Sequence, residues 1–143
     1  MRAGRIQEAR SELEAAIALD PKRASLATRL ARIQVEAGEL GRAIGVLERE
    51  PPTLAEDPEY HAFLAALYQR SGDNDRAARL YAAVLRHRPG HAHWWMGLGI
   101  SLENQGRDRE ARRVYETALA AGGLGTAPRR FVGGRLDDLA GRP

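Results

Sequence analysis

One interval governs this sequence. Gly4, Gly38, Gly72 and Gly106 follow each other at 34 residues. Ala9, Ala43, Ala77 and Ala111 keep the same spacing, as do Leu13, Leu47, Tyr81 and Tyr115. Three columns in register through four copies mean a repeated unit, which buries its apolar faces by stacking on its neighbours.

The columns explain themselves as helix-turn-helix units. Each glycine is placed to end one helix in a left-handed conformation and turn the chain back. The small residues Ala31, Ala65 and Gly99 are expected to face the alanine column, so that two helices approach closely. Pro21 and Pro89 stop the second helix of a unit, since proline lacks the N–H and fixes φ. The predicted helices run over 5–19, 23–37, 40–50, 58–71, 74–87, 92–105, 108–121 and 127–140. Short turns make paired helices antiparallel. No strand pattern occurs.

With these residues in place, the chain resembles the tetratricopeptide repeat (TPR) family. That pattern opens with a bulky residue, then a large apolar one beside a small one. Trp95, Leu98 and Gly99 match it in the last repeat. His61, Leu64 and Ala65 match it in the middle, and Ala27, Leu30 and Ala31 in the first complete repeat. The following aromatic is Tyr68 in the middle repeat, replaced by Gln34 and Leu102 elsewhere, and Gly123 takes the late proline's place in the last. The resemblance implies an all-α, right-handed TPR superhelix with a C-terminal cap. It divides the single domain into a half repeat at 1–22 (its second helix only), complete repeats at 24–57, 58–91 and 92–125, and a capping helix and tail at 126–143.

Three stretches depart from the pattern. Pro51-Pro52 should end a helix early, leaving Glu50 where a small apolar residue is usual and an irregular connection to Asp57. At the N-terminus, Ile6, Ala9, Leu13, Ala16 and Ile17 form an apolar stripe with repeat one on one side and no partner helix on the other. Either the chain is a fragment of a longer protein or this face pairs with a second copy, and self-association is expected both ways. At the C-terminus, Thr126 reads as an N-cap, Pro128 suits a first turn, and Val132, Leu136 and Leu139, with Phe131 beside them, make the docking face of the cap.

A narrower resemblance lies in His93-Trp94-Trp95-Met96-Gly97-Leu98, with Ala121-Gly122-Gly123-Leu124 and Phe131-Val132 beyond it. These look like the C-terminal repeats of MSHA-type pilus biogenesis proteins, which are bacterial inner-membrane proteins with a periplasmic TPR region. That likeness implies a periplasmic location with an anchor upstream; without it the expectation is cytoplasmic.

Composition narrows the function. There are no cysteines, so disulfides, thiolate catalysis and cysteine-ligated zinc are out. No apolar run approaches the ~20 residues of a membrane helix, and no apolar segment follows Met1-Arg2-Ala3-Gly4-Arg5 as a signal peptide would require. The formal charge is +3. Arg76, Arg79, Arg86, Arg88, Arg112 and Arg113 could stripe the second helices for nucleic acid, but acids are interleaved with them, so nucleic-acid binding is not expected. Phosphate-binding glycine loops, nucleophile elbows and metalloprotease motifs are absent. The reading is noncatalytic, with no cofactor.

The resemblance places the ligand face on the first helix of each repeat, in a concave groove. It selects Ser25, Thr28, Arg29, Arg32 and Val35, then Glu59, Ala62, Phe63, Ala66 and Gln69, then His93, Met96, Gly97, Ile100 and Glu103. The partner-contact residues chosen from these are Thr28, Arg29, Arg32, Phe63, Ala66, His93, Met96 and Ile100. A basic end beside an apolar middle suits a protein or peptide bearing an acidic group next to a hydrophobic anchor. The carboxylate clamp of chaperone-binding members is rejected. Its positions hold Thr28, Arg32, Phe63, His93 and Gly97, four of which lack the required donor. His87, His91 and His93 cluster around one turn without a completing carboxylate or cysteine, so no metal site is assigned. Trp95 is expected in the core, with Trp94 at a repeat boundary.

Overall fold

The computed structural model describes residues 2–19 and 24–142. Pro21 and the side chain of Ile17 fall outside what it describes. Among the described residues there are eight helices and no strand: α1 (Arg2–Leu19), α2 (Ala24–Glu36), α3 (Leu40–Arg49), α4 (Pro58–Arg70), α5 (Asn74–His87), α6 (Ala92–Asn104), α7 (Asp108–Ala121) and α8 (Thr126–Ala140). Each helix packs on the next in the chain, and α4 also touches α6 directly. The chain is an all-α solenoid of helix pairs.

The glycine column does what its chemistry allows at three of four positions. Gly38, Gly72 and Gly106 take φ of 80°, 89° and 78°, where a Cβ would be strained. The amides beyond them reach back to the preceding helix, as from Glu39 to the Gln34 carbonyl at 2.8 Å. Gly4 differs. It lies inside α1, with no preceding described helix to turn back from, so the helix runs through it.

Asp57 and Asp73 cap α4 and α5, their carboxylates accepting from the Tyr60 and Arg76 amides. At α8 the expected cap is displaced by one residue. Gly125 occupies the cap position in extended geometry, and Thr126 begins the helix without a side-chain cap bond.

The core is a run of side chains at the repeat positions. Ala31, Ala43, Ala65, Ala77 and Ala111 are fully buried, with Leu47 and Tyr115. In the last pair Gly99 meets the Tyr115 ring, not the alanine column. A Cβ on Gly99 would lie 2.6 Å from Tyr115 Cδ1.

The tandem tryptophans exchange their expected roles. Trp94 is buried and its ring stacks on His91 at 3.9 Å between centroids. Trp95 is only half-buried, because its Nε1–H donates to the Pro89 carbonyl at 2.6 Å, which holds the indole over the α5–α6 turn.

The connection at Glu50 to Asp57 is irregular, as the two prolines demand. His61 ties it down: its Nε2 lies 2.7 Å from the Pro52 carbonyl, so the imidazole donates there. The cap α8 buries Val132 and Leu139 and half-buries Leu136. Phe131 does not join them. It points outward and is 43% exposed.

Candidate functional site

The first helices of the repeats, α2, α4 and α6, share one face. Within α6, His93, Met96, Ile100 and Glu103 recur at three- and four-residue steps, which sets them on one side of the helix. Leu98 and Leu102 lie on the other side.

Between α2 and α4 the face opens into a cavity of about 300 Å³. Ser25, Thr28, Arg29 and Arg32 line it from α2, and Phe63 from α4. The Arg32 guanidinium sits 5.4 Å from the Phe63 ring centroid, a cation over an aromatic face. Glu59, a selected groove position, also lines the cavity, as does Asp57, which the sequence alone did not bring to this place. Asp57 is engaged with the Tyr60 amide at 3.0 Å and Glu59 with Arg88 at 3.2 Å. Arg29 and Arg32 are exposed.

The other selected residues are distributed along the same face. Ala66, Met96 and Ile100 are half-buried against the core, and His93 is exposed. They do not line the α2–α4 cavity. Thr28 is partly spent on its own helix, donating from Oγ1 to the Ala24 carbonyl at 2.9 Å.

Several groove positions serve the fold. Ala62 is buried, and Gly97 is covered by the Tyr81 ring, with a Cβ there only 2.4 Å from Cζ. Gln69 bridges α4 to α6, donating to the Gly97 carbonyl and to Ser101 Oγ, both at 2.8 Å. Glu103 is taken by the cap. It accepts from Tyr115 Oη at 3.0 Å and from Arg135 Nε at 3.0 Å. The Arg135 hydrogen bond, reinforced by Tyr115 and the nearby Arg142, holds the Glu103 carboxyl below its ordinary value.

Two members of the arginine stripe are paired with acids. Arg76 pairs with Glu48 at 3.5 Å and Asp73 at 3.4 Å, and Arg88 with Glu59. His91, stacked on Trp94, is pushed below the usual imidazole range by burial and then by His93. No group of three or more His, Asp or Glu side chains among the described residues is arranged to hold a metal ion. No described helix is long and apolar enough to cross a membrane.

Comparison with known proteins adds the family context. The tetratricopeptide repeat pattern matches twice, over residues 1–67 and 64–125. The peroxisomal targeting signal 1 receptor of Dictyostelium discoideum is 38% identical over 59 residues, which are 41% of this chain and 9% of the receptor. The chain thus spans a small part of that protein's length. Among solved structures, MamA AMB-1 superposes at a TM-score of 0.73 with 26% identity, covering 96% of this chain and 85% of the other. The Sgt2 TPR domain of Aspergillus fumigatus superposes at 0.70 with 20% identity, covering 82% of this chain and 79% of that domain. At that identity the likeness is one of fold.

Proposed function

This chain belongs to the tetratricopeptide repeat family, and from that premise we propose that it is a noncatalytic scaffold that binds a peptide or protein subunit along the α2–α4–α6 face. Members of the family generally act as interaction scaffolds rather than catalysts. The observation that carries the reading is the Arg32–Phe63 pair at the mouth of the α2–α4 cavity. A guanidinium beside an aromatic ring offers a charge for an acidic group and an apolar wall for the side chain next to it. Phe63, Ala66, Met96 and Ile100 continue the apolar wall, and His93 extends it.

A relative named as a receptor for a targeting signal supports a peptide-holding role for the TPR portion the two chains share. The likeness of the Trp94-Trp95 segment and tail to pilus biogenesis proteins supports a place in assembling a bacterial pilus or secretion complex.

The test is a pull-down from lysate with the wild-type chain and an Arg32→Glu/Phe63→Ala variant of matching helical content. A partner lost only with the variant supports binding in this groove. Equal retention by both moves the site elsewhere on the molecule.

A further inference from the structure

The opposite side of the solenoid carries a second feature, independent of the groove. Between α5 and α7, over the back of α6, lies a trough of about 670 Å³. Its floor is Leu98 and Leu102, one turn apart on α6, with Ala78 and Ala82 on one wall and Val114 on the other. The α5 wall runs from Asp75 to Ala82, about 10 Å along the helix at 1.5 Å per residue. The trough is therefore two turns long and parallel to the helices that make it.

The preceding pair repeats the arrangement. A cavity of about 450 Å³ lies between α3 and α5, with Leu64 and Tyr68 on its floor and Leu80 on its wall. These are the positions of Leu98, Leu102 and Val114 one repeat earlier. Arg79 borders both cavities, and Arg113 holds its place in the following repeat.

The charged groups lining the trough leave a small positive excess, Arg79, Arg107 and Arg113 against Asp75 and Glu110. The Asp75 carboxylate accepts from Gln105 at 2.7 Å, and Glu110 from Arg107 at 2.6 Å. In the neighbouring cavity Glu48 accepts from Tyr68 and Arg76. Arg79 and Arg113 have no carboxylate partner among the described residues. Arg79 donates its Nε only to the Asp75 carbonyl, at 3.4 Å. Both side chains are exposed.

We propose that the α5–α7 trough docks an acidic amphipathic helix of a partner protein, with two apolar side chains one turn apart on Leu98 and Leu102 and flanking carboxylates on Arg79 and Arg113. The apolar floor is what favours a peptide. A nucleic-acid backbone would meet the two arginines but would leave the leucine floor unused.

The experiment is an amide NMR titration of the intact chain with a synthetic helix of about fifteen residues, with leucines at i and i+4 amid glutamates. Two further probes are the same peptide with serine for leucine and a single-stranded oligothymidylate of equal charge. Saturable shifts at Ala78, Leu98 and Val114 support the proposal. So does a loss of affinity of about tenfold or more in Arg79→Glu/Arg113→Glu, with Arg32→Glu/Phe63→Ala unchanged. Because those arginines are exposed, their reversal leaves the fold intact, which the same spectra verify. The proposal is overturned by shifts confined to α2 and α4, by equal binding of the serine peptide, by stronger binding of the oligothymidylate, or by no saturation at millimolar peptide.

Discussion

The Tyr115 ring fills the space that a side chain on Gly99 would need. Cδ1 and Cε1 both lie 2.6 Å from the position of a Cβ. A real Cβ does not tolerate such a distance, and the ring is not free to retreat, since Tyr115 is fully buried and bonded through Oη to Glu103. Gly99→Ala therefore destabilises by about 1–3 kcal/mol through overpacking, even though alanine is the better helix former. Gly45→Ala in α3 is the contrast, because nothing lies within 4 Å of its Cβ position. It stabilises by about 0.5–1 kcal/mol. Urea denaturation of the two variants shows opposite shifts in midpoint.

Loss of the Tyr60 hydroxyl should be felt at a distance in sequence. Tyr60 Oη donates to the Leu47 carbonyl at 2.6 Å, joining α4 to the end of α3 across the irregular connection. Tyr60→Phe leaves that carbonyl without its donor and costs about 1 kcal/mol or somewhat more. Thermal melts followed by circular dichroism give the value.

His61 secures the same connection from the other side. His61→Ala removes the donor to Pro52 and a buried ring, and costs about 2 kcal/mol or more. Limited proteolysis should then cut between Glu50 and Asp57 faster than in the wild type, while the turn at Gly106 keeps its rate.

The cap should loosen in acid. Arg135 and its neighbours hold the Glu103 carboxyl below the ordinary value of 4.5. A carboxyl depressed in the folded state stabilises fully above its unfolded value, and that contribution is lost as pH falls through the folded value. Hydrogen exchange in α8 should thus be pH-independent in its protection near neutrality and lose protection below about pH 4.5. Glu103→Gln should weaken α8 at neutral pH and flatten the dependence.

How far the sequence could be read divides by the kind of residue. The helix pairs are legible because glycine and alanine recur where only small side chains fit, and the structure puts Gly38, Gly72 and Gly106 at positive φ and Ala43, Ala77 and Ala111 at zero exposure. The sequence assigns Trp95 to the core, yet Trp94 is the more deeply buried of the two. Adjacent helix positions differ by about 100° of rotation, and the Pro89 carbonyl that draws Trp95 outward acts from across a turn. Gln69 and Glu103 sit at groove positions, but their partners, Gly97, Ser101 and Arg135, lie some thirty residues on. Spacing within one repeat carries no sign of such bonds. The trough over Leu98 and Leu102 was hidden for the same reason, since it is made by the walls of two different helices.

The central claim, that the α2–α4–α6 face holds the partner, is tested most directly by photocrosslinking in cells. A photoreactive benzoylphenylalanine is placed at Ala66, half-buried on that face, or at Glu116, exposed on α7. The account predicts a discrete crosslinked protein from Ala66, abolished by adding Arg32→Glu/Phe63→Ala, and none of that protein from Glu116. The same protein captured from Glu116 and not from Ala66 would contradict it.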